Sequence, residues 1–149
     1  MEREPLLISA CLLGIGCRYD GGGQYRPEAA ALLARYELVP VCPELLGGLP
    51  VPRPPAEIKG GRVVTAAGVD VTDAFRLGAE RALELARRRG ARRALLKDGS
   101  PSCGCTRVHD GEFSGRLVPG RGLAAALLTG GGIEAISEDG IGRLLEAAE

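Results

Sequence analysis

The chain has no excess charge of either sign: nineteen lysines and arginines stand against nineteen aspartates and glutamates in 149 residues. Without net charge there is no whole-molecule field to gather a nucleic-acid backbone or an anionic membrane, so any charged ligand must be held locally. Long hydrophobic runs are also missing. The longest apolar stretches fall far short of the ~20 residues that span a bilayer, and the opening MEREPLLISACLLG mixes charges of both signs, unlike a secretory signal. A cytoplasmic protein is expected. Tryptophan is absent, Gln24 is the one side-chain amide, and the aromatics are limited to Tyr19, Tyr25, Tyr36, Phe75 and Phe113. Together with seventeen arginines among the nineteen cations, this reads as genomic bias. At this length and 45% hydrophobic content the chain suffices for one compact domain, 1–149, without staples.

Two familiar cysteine patterns are lacking as well. There is no C-x-x-C, and the short spacings are Cys11-x5-Cys17 and Cys103-x-Cys105, so neither a thioredoxin-type pair nor an ordinary zinc site announces itself. The glycine-rich YDGGG at 19–23 lacks the G-x-G-x-x-G order of a dinucleotide site. What the chain does contain is five cysteines, an odd number that argues against a disulfide framework and for metal ligation or thiol chemistry in a reducing compartment.

The hydrophobic pattern predicts an α/β order. PLLISA is a short buried-type strand, RPEAAALLARY a helix and LVPVC a second strand, which together make a βαβ unit. Six of the ten prolines fall in PVCPELLGGLPVPRPP at 40–55, which predicts a rigid loop without strand or helix. EIKGGRVVTAAG predicts a hairpin turning at Gly60 and Gly61. In DVTDAFRLGAERALELARRRG the residues Phe75, Ala79, Ala82, Leu83 and Ala86 share one helical face, with Asp70 or Thr72 as cap and Gly90 as stop. RRALLK is a third strand, DGSPSCGCTRVHDGEFSG a long polar loop, RGLAAALLTGG a helix, IEAIS a fourth strand and EDGIGRLLEAAE a closing helix.

This alternation predicts a single three-layer α/β domain, Rossmann-like or flavodoxin-like, with a mostly parallel sheet of about four strands and helices on both faces. In such sheets ligands collect at the carboxyl ends of the strands, near the topological switch point. Cys11, Cys42 and Cys103 each follow a strand, so three distant loops deliver a thiol to one edge, with Cys17 and Cys105 in two of the same loops. Spacing alone leaves an iron–sulfur cluster, a zinc ion in a binding module and reactive thiols in a persulfide sulfur carrier as open alternatives.

The segments SACLLGIGCRYDG, VPVCPELLGGLPVPRPPAEI, DVTDAFRLGAERAL, ALLKDGSPSCG, HDGEFSG and GLAAALLTGGGIEAISE, in this order, resemble the thiouracil desulfidase family, small bacterial domains first catalogued without a function. The resemblance runs from about Leu6 to Glu138 and rests most on CPE, PRPPAEI and SPSCG. It implies conversion of thiouracil, or its nucleoside or nucleotide, to the oxo form and sulfide, without electron transfer, on a [4Fe-4S] cluster held by three cysteines. One iron then stays open to a soft thiocarbonyl sulfur. With the strand-end reading, it makes Cys11, Cys42 and Cys103 the expected ligands. Cys17 is expected to pack under its loop, replace one of the three or lie near the open iron, and Cys105 is expected to be incidental.

Glu44, held two residues after Cys42 by Pro43, is the expected general base for the attacking water, and Ser100 the expected catalytic neighbour, with Ser102 beside it. Lys97, Arg18 and Arg53 are lesser candidates for a substrate carbonyl or phosphate. His109, the one histidine, lies in the polar loop and is expected to be dispensable.

Overall fold

The computed structural model describes residues 3–16 and 28–147. Leu6, Leu7 and Ile8 are fully buried in a row, which requires a strand covered on both faces, and they form the centre of β1 (Glu4–Ser9). After a 3-10 turn at Ala10–Leu13 and α1 (Glu28–Leu32) comes β2 (Tyr36–Val41), parallel to β1 with Leu6 opposite Leu38 and Ser9 opposite Val41. The chain continues through α2 (Pro43–Leu46), β3 (Ala56–Lys59), β4 (Arg62–Thr65) and α3 (Thr72–Arg89) to β5 (Arg93–Leu96). Then follow β6 (Arg107–His109), β7 (Leu117–Pro119), α4 (Leu123–Gly130), β8 (Glu134–Ser137), a 3-10 turn and α5 (Ile141–Ala147).

The main sheet has the order β2-β1-β5-β8, parallel throughout. Alternation along its strands creates two cores. Leu7, Ala94 and Leu96 meet Ala82, Leu83 and Ala86 of α3 and Ala125 and Leu128 of α4 on one face. Leu6, Ile8 and Leu95 meet Leu32 of α1 and Ile141 and Leu144 of α5 on the other. Each such fully buried aliphatic side chain contributes about 1.5–3 kcal/mol relative to exposure. This is the α/β fold with helices on both faces that the sequence pattern predicts. Among the described residues no helix is long and apolar enough to cross a membrane.

The α3 expectations hold in detail: the named apolar residues are buried and Gly90 stops the helix at φ 72°. Asp70 rather than Thr72 serves its amino end, accepting the Thr72 backbone N–H at 2.9 Å, while the Thr72 hydroxyl accepts from the Val63 N–H of β4 at 2.8 Å. β3 and β4 form the expected hairpin through Gly60 and Gly61.

Two expectations need correction. The proline-rich 40–55 segment does hold a helical turn, α2, because Pro43 sits at its first position, where the missing N–H removes no helical bond. The polar 98–115 segment is not all loop, since β6 pairs antiparallel with β7 from His109 opposite Leu117 to Arg107 opposite Pro119. Strands of three residues with few apolar positions carry too short a period to be read from sequence.

The seat of α2 depends on two glycines. A Cβ on Gly78 would lie 1.8 Å from the Pro43 carbonyl oxygen, and one on Gly47 would lie 2.0 Å from that of Ala74. The backbones of α2 and α3 therefore touch, and this contact fixes the segment that carries Cys42 and Glu44.

Candidate active site

The chain steps from β1 to β2 on one side and then to β5 on the other, so the strand order reverses between β1 and β5. At the carboxyl ends of these strands lies a cavity of about 430 Å³, in the size range of small-molecule sites. The 3-10 turn after β1 brings Cys11, the end of β2 brings Cys42, and the loop after β5 brings Cys103 to its lining. All three expected ligands thus meet in one place. Cys11 and Cys103 are buried and Cys42 is half-buried, all three as free thiols. Cys17 and Arg18 lie outside the described residues, as does the YDGGG stretch. Cys105 is not among the lining residues and packs instead in the apolar core beneath α3 and α4.

Burial pushes the Cys103 thiol up to about 12. The Ser9 hydroxyl pulls in the opposite sense, and the nearby Cys42 and Glu44 push it further up. Cys103 as a thiolate therefore calls for a positive group at the site. Burial also raises Cys105, to about 11, with Asp98 and Glu138 adding to the effect.

Glu44 stands in the first turn of α2 and is tied at both oxygens. Arg53 Nε donates to Oε1 at 2.9 Å, and Ser102 Oγ donates to Oε2 at 3.2 Å. Ser100 Oγ lies 3.1 Å from Ser102 Oγ and accepts the backbone N–H groups of Ser102 at 3.0 Å and Cys103 at 2.7 Å. An ionised carboxylate only accepts, so Ser102 gives its single proton to Glu44 and Ser100 must donate to Ser102. A directed chain of hydroxyls results: Ser100, Ser102, Glu44. Ser100 is half-buried and Ser102 is 1% exposed, and both acceptor positions of Ser100 are taken by backbone N–H groups.

Arg53 and Lys97, the described cation candidates, both line the cavity. Arg53 is 8% exposed and held by Glu44 and by the Pro50 carbonyl at 3.0 Å, so it serves the carboxylate and is not a loose surface charge. Lys97 lines the cavity, its ammonium donating to the Asp98 carbonyl at 2.9 Å and standing 3.6 Å from Glu138.

The loop that presents Ser100, Ser102 and Cys103 is anchored on Asp98. Its Oδ1 accepts four backbone N–H groups, from Gly99, Cys105, Thr106 and Arg107, at 3.0–3.2 Å. Thr106 Oγ1 donates to Oδ2. Burial is the largest single influence on this carboxyl and raises it, but the hydrogen bonds together outweigh burial and hold it below its ordinary value.

The sequence reading did not single out Asp98, Glu57 or Phe113, all of which line the cavity. The one signal for Glu57 was an acid at an inward position of a two-residue alternation, between Ala56 and Ile58. His109 also lines the cavity, from β6 and not from a loop.

The chain is similar to known proteins over nearly its whole length. A solved structure described as a [4Fe-4S]-dependent thiouracil desulfidase, TudS, superimposes with a TM-score of 0.92 at 48% identity, covering 97% of each chain. An uncharacterized protein of Bacillus subtilis (strain 168), YbbK, is 41% identical over 150 residues, which is 94% of this chain and 99% of that one. Residues 6–140 match the family described as 2-thiouracil desulfurase, and with the cavity, its three thiols and this fold the chain belongs to that family.

Proposed function

We propose that residues 1–149 act as one domain, a cytoplasmic [4Fe-4S]-dependent desulfidase. It hydrolyses the carbon–sulfur bond of a thiopyrimidine, thiouracil or its nucleoside or nucleotide. The reaction is non-redox: thiocarbonyl and water give carbonyl and hydrogen sulfide. The observation that carries this reading is the convergence of Cys11, Cys42 and Cys103 with the Glu44 carboxylate on one cavity.

The donor set suits the cluster. Three thiols spread around one cavity and delivered by separate loops match an iron–sulfur cluster, which recruits single cysteines in this way. When bound through three thiolates, such a cluster supplies an open iron as a Lewis acid for the soft thiocarbonyl sulfur.

The protein's own groups supply the remainder. Glu44 takes the proton of the attacking water, and Arg53 and Ser102 keep the carboxylate in place. Ser100, on the cavity wall, holds the Ser102 hydroxyl and the Ser102 and Cys103 backbone N–H groups in position beside the substrate.

Anaerobic reconstitution with iron and sulfide tests the reading. The expected product is a brown protein with a broad visible shoulder that releases sulfide and uracil from at least one member of a panel of thiopyrimidines. A colourless protein holding one zinc, or a loaded protein inert towards every member of the panel, overturns it.

A further inference from the structure

A second wall of the same cavity comes from the β3–β4 and β6–β7 hairpins, which contribute Glu57, His109 and Phe113. The desulfuration chemistry above uses none of them. Glu57 is 7% exposed, yet among the described residues it forms no ion pair. Its Oε1 accepts the backbone N–H groups of Gly111 at 2.9 Å and Phe113 at 3.1 Å, and among the described residues its Oε2 has no hydrogen-bond partner. That oxygen is not closed off, so it can accept a hydrogen bond from a ligand in the cavity that Glu57 lines.

His109 makes the complementary case. Its Nδ1 is closed off from solvent and has no partner. With Nδ1 shut in, Nε2 is the ring nitrogen left to meet a ligand, and a hydrogen placed there can be donated to it. Nε2 is not closed off and makes no hydrogen bond, which leaves an N–H donor for the cavity. Phe113 holds φ at 55°, in the left-handed region that aromatic residues rarely take, with its N–H pinned by Glu57. The Glu57 contact holds the backbone from which the ring projects.

We propose that Glu57 and His109 read the edge of the substrate ring and thereby set specificity, an inference that rests on the thiopyrimidine reading above. Glu57 Oε2 accepts the ring N–H that lies between the thiocarbonyl and oxo carbons. His109 Nε2–H donates to the oxo oxygen, and Phe113 covers the ring face. An acceptor beside a donor matches an N–H beside a C=O. It mismatches a ring methylated at that nitrogen, or one bearing an amino group in place of the oxo group. His109 is thus a specificity residue, contrary to the sequence expectation that it is dispensable.

The test compares the reconstituted enzyme on 2-thiouracil, on its N3-methyl derivative and on 2-thiocytosine. The unmodified enzyme should favour 2-thiouracil over the methylated ring by about 10- to 100-fold in kcat/KM, carried by KM, the worth of one hydrogen bond to a charged group. Glu57→Gln keeps an amide oxygen for Gly111 and Phe113 but turns a donor to the cavity, so this preference should vanish while the cluster spectrum is unchanged. His109→Leu should lose the preference over 2-thiocytosine, and His109→Gln, which restores an N–H donor, should recover much of it. Calorimetric binding of uracil against 3-methyluracil to the same loaded proteins reads the contact without turnover. Preferences that survive in both Glu57→Gln and His109→Leu, or an unmodified enzyme indifferent to methylation, overturn the inference. If no thiopyrimidine is turned over, the desulfidase reading falls, and the uracil binding arm alone decides ring recognition.

Discussion

Ser102 donates its hydroxyl to Glu44 Oε2 across 3.2 Å, joining the loop after β5 to the helical turn after β2. Fifty-eight positions separate the two residues in sequence, and the contact makes the cysteine loops of both strands parts of one hydrogen-bonded unit. Ser102→Ala removes the hydroxyl that holds Glu44 but leaves the acid itself in place. Turnover should fall by about 10- to 100-fold, in keeping with loss of one charge-assisted hydrogen bond, while iron content stays unchanged. Steady-state kinetics beside an iron assay separates this outcome from simple loss of the cluster.

Glu44→Gln retains a carbonyl oxygen for Arg53 and removes proton acceptance. A loss of about 10²–10⁴-fold in kcat with intact visible absorbance and substrate binding is expected, the usual range for a general base. Near-normal turnover would take Glu44 out of the mechanism.

Replacing Cys11, Cys42 or Cys103 with serine should each abolish or severely reduce bound iron, because serine is a harder and poorer ligand. Cys105→Ser should leave iron content unchanged, since that thiol is packed in the core away from the cavity. It should instead lower stability slightly by placing a hydroxyl among apolar side chains. Iron quantitation on the four variants decides the ligand set, and iron loss in Cys105→Ser with retention in one of the others would revise it.

The convergence of the three thiols was legible in the sequence because parallel α/β sheets send every strand end to one edge, so Cys11, Cys42 and Cys103 needed only correct strand assignment. The long amphipathic α3 was equally plain, with its apolar face and Gly90 stop. The Arg53–Glu44 pair was not, since it closes across a proline-rich loop whose path no periodicity reveals. Ser100 and Ser102 were singled out, but their link to Glu44 was not, because that contact joins loops 58 positions apart. Glu57 and Asp98 belong to the same class: buried acids that take backbone N–H groups from loops distant or irregular in sequence.

Gly78→Ala should displace α2. The added Cβ would fall 1.8 Å from the Pro43 carbonyl oxygen, and backbone on both sides leaves no flexible group to yield. Overpacking of this kind costs about 1–3 kcal/mol or more. The displacement also moves Cys42 and Glu44, so turnover and iron retention should fall with the thermal midpoint. Gly142→Ala, at an exposed position of α5 where an added Cβ meets nothing within 4 Å, should instead gain about 0.5–1 kcal/mol from helix propensity and leave turnover unchanged. A Gly78→Ala protein as stable and active as the parent would remove the backbone contact from the account of the site.

Asp98 predicts a specific acid sensitivity. Its carboxyl is held below the ordinary 3.8 because hydrogen bonds from Thr106, Arg107 and Gly99 outweigh the opposing effect of burial. A group whose folded value is depressed contributes stability that is fully present above its unfolded value and is lost as pH falls through the lower folded one. The parent should therefore lose stability from about pH 4 downward, the unfolded range of an aspartate. Asp98→Asn keeps an acceptor for some of the four backbone N–H groups but loses the charge that gathers them. It should be less stable at neutral pH by about 1.5–3 kcal/mol, with a flatter decline in acid. Urea unfolding at a series of pH values measures both effects. Converging curves at low pH are expected, because protonated aspartic acid and asparagine are alike in charge. Parallel curves would show that the Asp98 charge does not hold the loop that carries Ser100, Ser102 and Cys103.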